Sequence, residues 1–188
     1  MPIKTDTSLV MNPVKRLRRA QSSRYSAGRV LVLGLGNILL KDEGVGVHIA
    51  QRLQELALPD NIEVMDGGTA SLDVLLSATG IEKLVVIDAL RAGKEAGTIY
   101  KARLKTEDRD KLEQIFSGES NISLHQIGLI DALALAERMN CALKEIVIIG
   151  VEPEKTNCGL ELTDKVKQRI PEIINTVLKE IEDAIHTK

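Results

Sequence analysis

The chain has 188 residues, 44% hydrophobic and 28% charged, with a net charge of −2, which suits one domain able to bury a sizeable core. The near-neutral balance gives no drive toward nucleic acid, and an aromatic content of 2% excludes base-stacking platforms. No apolar run approaches the roughly 18 residues that a membrane helix needs.

Residues 1–29 carry Lys4, Lys15, Arg16, Arg18, Arg19, Arg24 and Arg29 with little apolar periodicity. They read as a basic, disordered leader, with a weak role toward an acidic partner as the alternative. An Arg pair is present, but no signal-peptide apolar stretch follows it. The α/β domain is expected over residues 30–188. "RVLVLGLG" is a short apolar run closed by glycine, a buried first strand. "VGVHIAQRLQELAL" spaces Val47, Ala50, Leu53 and Leu56 as one face of a helix. "NIEVM" predicts a second strand, broken by "DGGT". "ASLDVLLSAT" predicts a short helix ended by Gly80.

"KLVVIDAL" is apolar throughout, as strands buried on both faces are. "GTIYKARL" alternates and follows the glycine-rich "RAGKEAG", which suggests an edge hairpin strand. Residues 105–120 read as a surface excursion, "LHQIGLIDALALAERM" as an amphipathic helix and "EIVIIGVEP" as a buried strand. The terminal helix over 160–186 takes Thr163 as its N-cap and should be kinked or interrupted by Pro171. Strands alternating with helices give one three-layer α/β domain: a twisted, mostly parallel sheet with helices on both faces. Cys141 and Cys158 fit neither a redox pair nor a zinc knuckle, so they read as reduced thiols of a cytoplasmic protein.

In such sheets, sites form past the carboxyl ends of the strands. Asn37, Asp42 and Glu43 follow the first strand, Asp66 the second, Asp88 ends the third, and His125 opens the amphipathic helix. Each has a local reading. Asp88 can cap a turn, and Asp66 can belong to turn chemistry with Thr69 capping a helix. Glu43 can be a solvated loop carboxylate, and His125 can bond locally. His48 and His186 read as structural. The coincidence of Glu43, Asp88 and His125 at strand-end loops favours a functional reading.

The stretch "GLGNILLKDEGVG" could hold an anion or a cation. A dinucleotide fingerprint needs a third glycine where Leu39 stands, although Asp66 resembles a ribose-binding acid. No P-loop, HExxH or GxSxG motif is present, and "DGGT" lacks the second copy of a paired-aspartate protease. One imidazole and two carboxylates suit a divalent metal of the zinc or nickel kind. Gly34, Gly36, Gly44 and Gly46 would let the turn bend and pass close to a bound chain.

"VLGLGNILLKDEGVGVHIAQRL", "EVMDGGTASLDVL", "LVVIDAL", "ISLHQIGL" and "IVIIGVEPE" followed by "GLELT" together resemble the [NiFe]-hydrogenase maturation endopeptidases, in order from about Val30 to the C-terminus. The resemblance implies an endopeptidase that removes the C-terminal extension of a hydrogenase large-subunit precursor after nickel insertion. It implies metal contacts at Glu43, Asp88 and His125, and substrate selection at Asp66, Gly67, Gly68 and Thr69. All four acidic or imidazole groups are thereby candidate catalytic residues. Many members have proline before the histidine; here it is Leu124. The family has been classed as aspartic-type and as metal-dependent. Nickel would arrive on the substrate, other divalent metals could substitute, and the isolated monomer would hold no tightly bound metal. Two other classes stand beside this one: a nickel-checking carrier that does not cut, and a small-molecule α/β enzyme using the glycine turn for a nucleotide.

Overall fold

The computed structural model describes residues 28–69, 80–105 and 143–186. The leader up to residue 27, the helix expected over 70–79, most of the 105–120 excursion, the helix containing His125, and Cys141 lie outside the described residues. The described elements are β1 (Arg29–Leu35), α1 (Val45–Gln54), β2 (Ile62–Gly68), β3 (Ile81–Ala89), β4 (Ile99–Lys105), β5 (Glu145–Val151) and α2 (Asp164–His186), with a 3-10 turn at Lys41–Gly44 before α1. Arg29, assigned by sequence to the leader, opens β1.

The strands form one sheet in the order β2-β1-β3-β5-β4. All pairs are parallel except β4 with β5. Val30, Val32, Val85, Ile87, Val147 and Ile149 face one side, where α1 and α2 close over them with Ile49, Leu53, Ile173, Val177 and Ile181. Leu31, Leu33, Leu84, Val86, Ile146 and Ile148 are buried on the other side. Burial of both faces is why these strands read as continuous apolar runs rather than alternating ones. The expected α/β class therefore stands.

Four local expectations need correction. β2 does not break at "DGGT" but continues through Gly68. Its register slips so that Gly34 opposes Asp66 and Leu35 opposes Gly68, and a bulge at glycine absorbs the extra residue. α1 stops at Gln54, four residues short of the apolar pattern, because Leu56 and Leu58 can pack against the core from a loop. β4 is an edge strand as expected, but its partner is β5, not the preceding β3. α2 runs unbroken across Pro171. Pro171 lies on the exposed face, where water can satisfy the carbonyl left without an N–H donor.

α1 rests directly on the sheet backbone. A Cβ on Gly46 would overlap the carbonyl oxygens of Ile87 and Leu35. Only glycine lets the first turn of the helix sit this low. At the opposite end of the sheet, Lys83 is buried and binds Glu180 on α2 at 3.1 Å and Glu145 on β5 at 3.0 Å. Lys101 and Arg103 on β4 complete the network with Glu180. Burial pushes the Glu180 carboxyl upward, but hydrogen bonds from Lys101 and Lys83 and the charges of Lys83 and Arg103 outweigh it and hold the carboxyl below its ordinary range.

Two outcomes follow from this packing. Gly46→Ala should lower the unfolding free energy by about 1–3 kcal/mol in urea titration, as overpacking does; an unchanged midpoint would contradict the close approach. Because the folded-state pKa of Glu180 is depressed, the stability it adds is complete above the ordinary carboxylate range and is lost as pH falls through its folded value. Glu180→Gln should therefore destabilise by on the order of 3 kcal/mol at neutral pH and by much less at strongly acid pH. An equal loss at both would contradict the network.

Candidate active site

The sheet order reverses between β1 and β3, and the carboxyl ends of these strands open where ligands bind in open α/β sheets. Beyond β1 the chain doubles back at once. Gly36 takes φ +128°, and a Cβ there would overlap the Glu43 carbonyl. Six amides of this turn are already occupied. Gly36 N donates to Gly68 O, Leu39 N to Asn37 Oδ1, and Leu40 N to Asn37 O. Lys41 N donates to Gly159 O, Asp42 N to Lys155 O, and Glu43 N to Leu40 O. With these six donors spent inside the protein, the turn is poorly suited to cradle an anion.

Of the two adjacent acids in the turn, Asp42 is fully buried and serves as a clamp. It accepts hydrogen bonds from the backbone N–H groups of Glu154 (2.9 Å), Lys155 (3.0 Å) and Thr163 (2.7 Å), and from the Thr163 hydroxyl (2.8 Å). Thr163 stands at the start of α2, where its carbonyl accepts from Lys167 N, but its hydroxyl goes to Asp42. The clamp ties the turn to the 152–163 loop.

Glu43, half-buried, then faces Asp88 at the end of β3. Asp88 is 4% exposed. Its Oδ1 accepts from Ala89 N at 2.8 Å, while its buried Oδ2 finds no hydrogen-bond partner among the described residues. Burial pushes the Asp88 carboxyl up to about 7; the Ala89 amide opposes this and the negative charge of Glu43 adds to it. A carboxyl buried in this way ionises readily only when a cation reaches it. Glu43 and Asp88 are thus brought together as the sequence suggested. His125 lies outside the described residues, and among those described no three His, Cys, Asp or Glu side chains gather to hold a metal. The donor chemistry of the pair still fits a borderline or hard divalent ion.

Asp66 stands apart, exposed at the end of β2. Gly68 N donates to its Oδ1 (3.0 Å) and Gln51 Nε2 to its Oδ2 (3.2 Å), so its carboxylate is oriented at the rim. Gly67 is buried beneath it, and Thr69 is exposed. His48 hydrogen-bonds the Leu160 backbone; burial, with help from the charges of Arg52 and Lys167, holds its pKa below the ordinary value. That fits the structural role read from the sequence.

One residue escaped the sequence reading. Glu152, just past β5, is buried and accepts from the amides of Ala92, Gly93 and Lys94 and from the Tyr100 hydroxyl. Burial raises its carboxyl, but these donors outweigh that and hold it below its ordinary range. Burial and the bond to Glu152 in turn push the Tyr100 hydroxyl up to about 12. Glu152 therefore fixes the turn that follows Asp88. An acid at a strand's carboxyl end was the available signal, the same one that marked Asp88.

Comparison with known proteins shows the family. The family model described as hydrogenase maturation protease matches residues 47–180. The chain is 35% identical over 158 residues to the hydrogenase 2 maturation protease of Escherichia coli, covering 83% of this chain and 92% of that one. It is 37% identical over 159 residues to the hydrogenase expression/formation protein HupD of Rhodobacter capsulatus, covering 84% and 73%. The structure of the hydrogenase maturating endopeptidase HybD from E. coli superposes with a TM-score of 0.73 at 33% identity, covering 83% of this chain and 93% of that one. The corresponding values for the [NiFe] hydrogenase maturation protease HybD of Thermococcus kodakarensis are 0.64 and 29%, over 81% and 98%. The chain belongs to the hydrogenase maturation protease family.

Proposed function

We propose that this protease removes the C-terminal extension of a [NiFe]-hydrogenase large-subunit precursor after nickel insertion, and that Glu43, Asp88 and His125 meet the nickel held by that substrate. The observation that carries the reading is the buried Asp88 carboxyl, with an oxygen lacking a partner among the described residues, beside Glu43 at the sheet's switch point. Bound there, the nickel supplies the positive charge that lets the buried Asp88 ionise beside Glu43. Other divalent ions with similar donor preference could take its place on the precursor.

Against a precursor without nickel, Glu43 and Asp88 keep their mutual repulsion and the docked geometry loses its favourable contact. The selectivity is therefore electrostatic. Asp66, oriented by Gly68 and Gln51, steers the tail by hydrogen bonding, with Gly67, Gly68 and Thr69 selecting the segment beside it. Hydrolysis adds water across the scissile amide: a carboxylate takes the proton from the attacking water and returns it to the leaving amine. The class is thus both metal-dependent and carboxylate-assisted. The enzyme acts as a cytoplasmic monomer, with the basic leader that precedes β1 outside the peptidase domain. No helix among the described residues is long and apolar enough to cross a membrane.

Intact mass of the precursor, nickel-loaded or nickel-free, tests this. Loss of a C-terminal peptide is expected only from the loaded form, and His125→Ala should slow it by about a hundredfold or more. Equal cutting of both forms would defeat the nickel-recognition claim, and binding without cutting would point to a carrier.

Asp88→Asn separates function from stability. A folded-state pKa raised to about 7 from 3.8 means that Asp88 opposes folding progressively as pH rises through that interval. The variant should lose cleavage yet gain in melting temperature over wild type on going from pH 4 to pH 8. A constant difference between the two proteins across that range would show that Asp88 ionises normally.

A further inference from the structure

The large apolar side chains that stand exposed among the described residues are Ile38 (40%), Leu39 (59%) and Leu160 (64%). They share one edge of the molecule. Ile38 and Leu39 lie on the turn that leads to Glu43, and Leu160 lies on the 152–163 loop. Gly159 N donates to Leu39 O at 2.9 Å and Lys41 N to Gly159 O at 2.8 Å; Leu40 and Gly159 form a parallel bridge. Lys41 is held at φ +49°, a left-handed conformation that a lysine adopts only where its surroundings impose it. The Asp42 clamp joins the same two loops from beneath. The three side chains are therefore displayed on a rigid, cross-braced platform. Apolar residues exposed singly are ordinary, but a cluster on a rigid loop beside a site marks a binding surface.

We propose that this patch docks an extended, apolar stretch of the precursor flanking its nickel centre; the proposal rests on the function given above. Two observations choose this occupant. The patch is continuous with the candidate site, because Leu39 precedes Glu43 by four residues on the same braced turn. A chain whose metal meets Glu43 and Asp88 must pass close to it. Among the described residues the patch is also small, three side chains against the roughly 800 Å² per partner of a stable interface. That is too little for a second copy of this chain and enough for a few residues of peptide. The occupant gains from a surface already in place, with no loop to order on binding.

The test uses the full chain and the [NiFe]-hydrogenase large-subunit precursor of the same organism, nickel-loaded. Leu39→Ser/Leu160→Ser is compared with wild type and with the conservative Leu39→Met/Leu160→Met. Precursor affinity is read by biolayer interferometry, cleavage by intact mass, and the fold by thermal melting. The serine variant should raise both Kd and KM about tenfold or more with its melting temperature retained, and the methionine variant should restore both. Unchanged Kd and KM in the serine variant would overturn the proposal while leaving the peptidase reading intact. So would a wild-type dimer in analytical ultracentrifugation that the serine variant breaks. Wild type that binds without cutting would overturn the peptidase reading but support the patch if the serine variant loses binding. No binding by wild type would overturn both.

Discussion

The site depends on how closely the first turn of α1 approaches the sheet. Gly46 lets helix backbone sit against the carbonyls of Leu35 and Ile87, one residue before Asp88. Nothing with a side chain would allow that distance. The approach delivers Glu43 to the mouth of the crevice between β1 and β3, and the Asp42 clamp keeps it there by binding the loop that precedes α2. Two neighbouring acids in one turn thus have opposite tasks. Asp42 is fully buried and saturated with donors, while Glu43 is turned toward a carboxyl that burial has already made hard to ionise.

The two ends of the sheet treat buried charge differently. At the amino ends of the parallel strands, Lys83, Glu145, Glu180 and Arg103 neutralise one another. Buried groups satisfied in this way specify packing and leave no chemistry over. At the carboxyl ends, Asp88 keeps an oxygen with no partner among the described residues and shares its surroundings with another acid. A folded chain tolerates such a group at a cost in stability, and functional sites are where such costs concentrate. Glu152 shows the contrast at close range: it too is a buried strand-end acid, but three amides and a hydroxyl satisfy it.

Much of this was legible in the chain itself. β1, β3 and β5 announce themselves as short apolar runs, and the rule that sites follow strand ends picked out Glu43 and Asp88. What stayed hidden has physical reasons. Whether "DGGT" breaks or extends β2 depends on a register slip against β1, a tertiary event with no local signature. Which carboxylate of "DE" acts as a clamp depends on a loop more than a hundred residues further along the chain. Pro171 suggested an interruption, but solvent on the exposed face of α2 offsets the lost hydrogen bond. The glycines suggested flexibility near a phosphate or a bound chain; Gly46 instead serves close backbone packing, and Gly36 a left-handed turn.

The proposed recognition of a positive centre on the precursor rests on Asp88, whose buried carboxyl, beside the charge of Glu43, is hard to ionise without one. The most direct measurement compares the dissociation constants of nickel-loaded and nickel-free precursor for wild type and for Glu43→Gln at neutral pH. Wild type is expected to prefer the loaded form by about tenfold or more, a coupling of at least about 1.4 kcal/mol, and Glu43→Gln to lose most of that preference. Equal affinity of wild type for the two forms would contradict it.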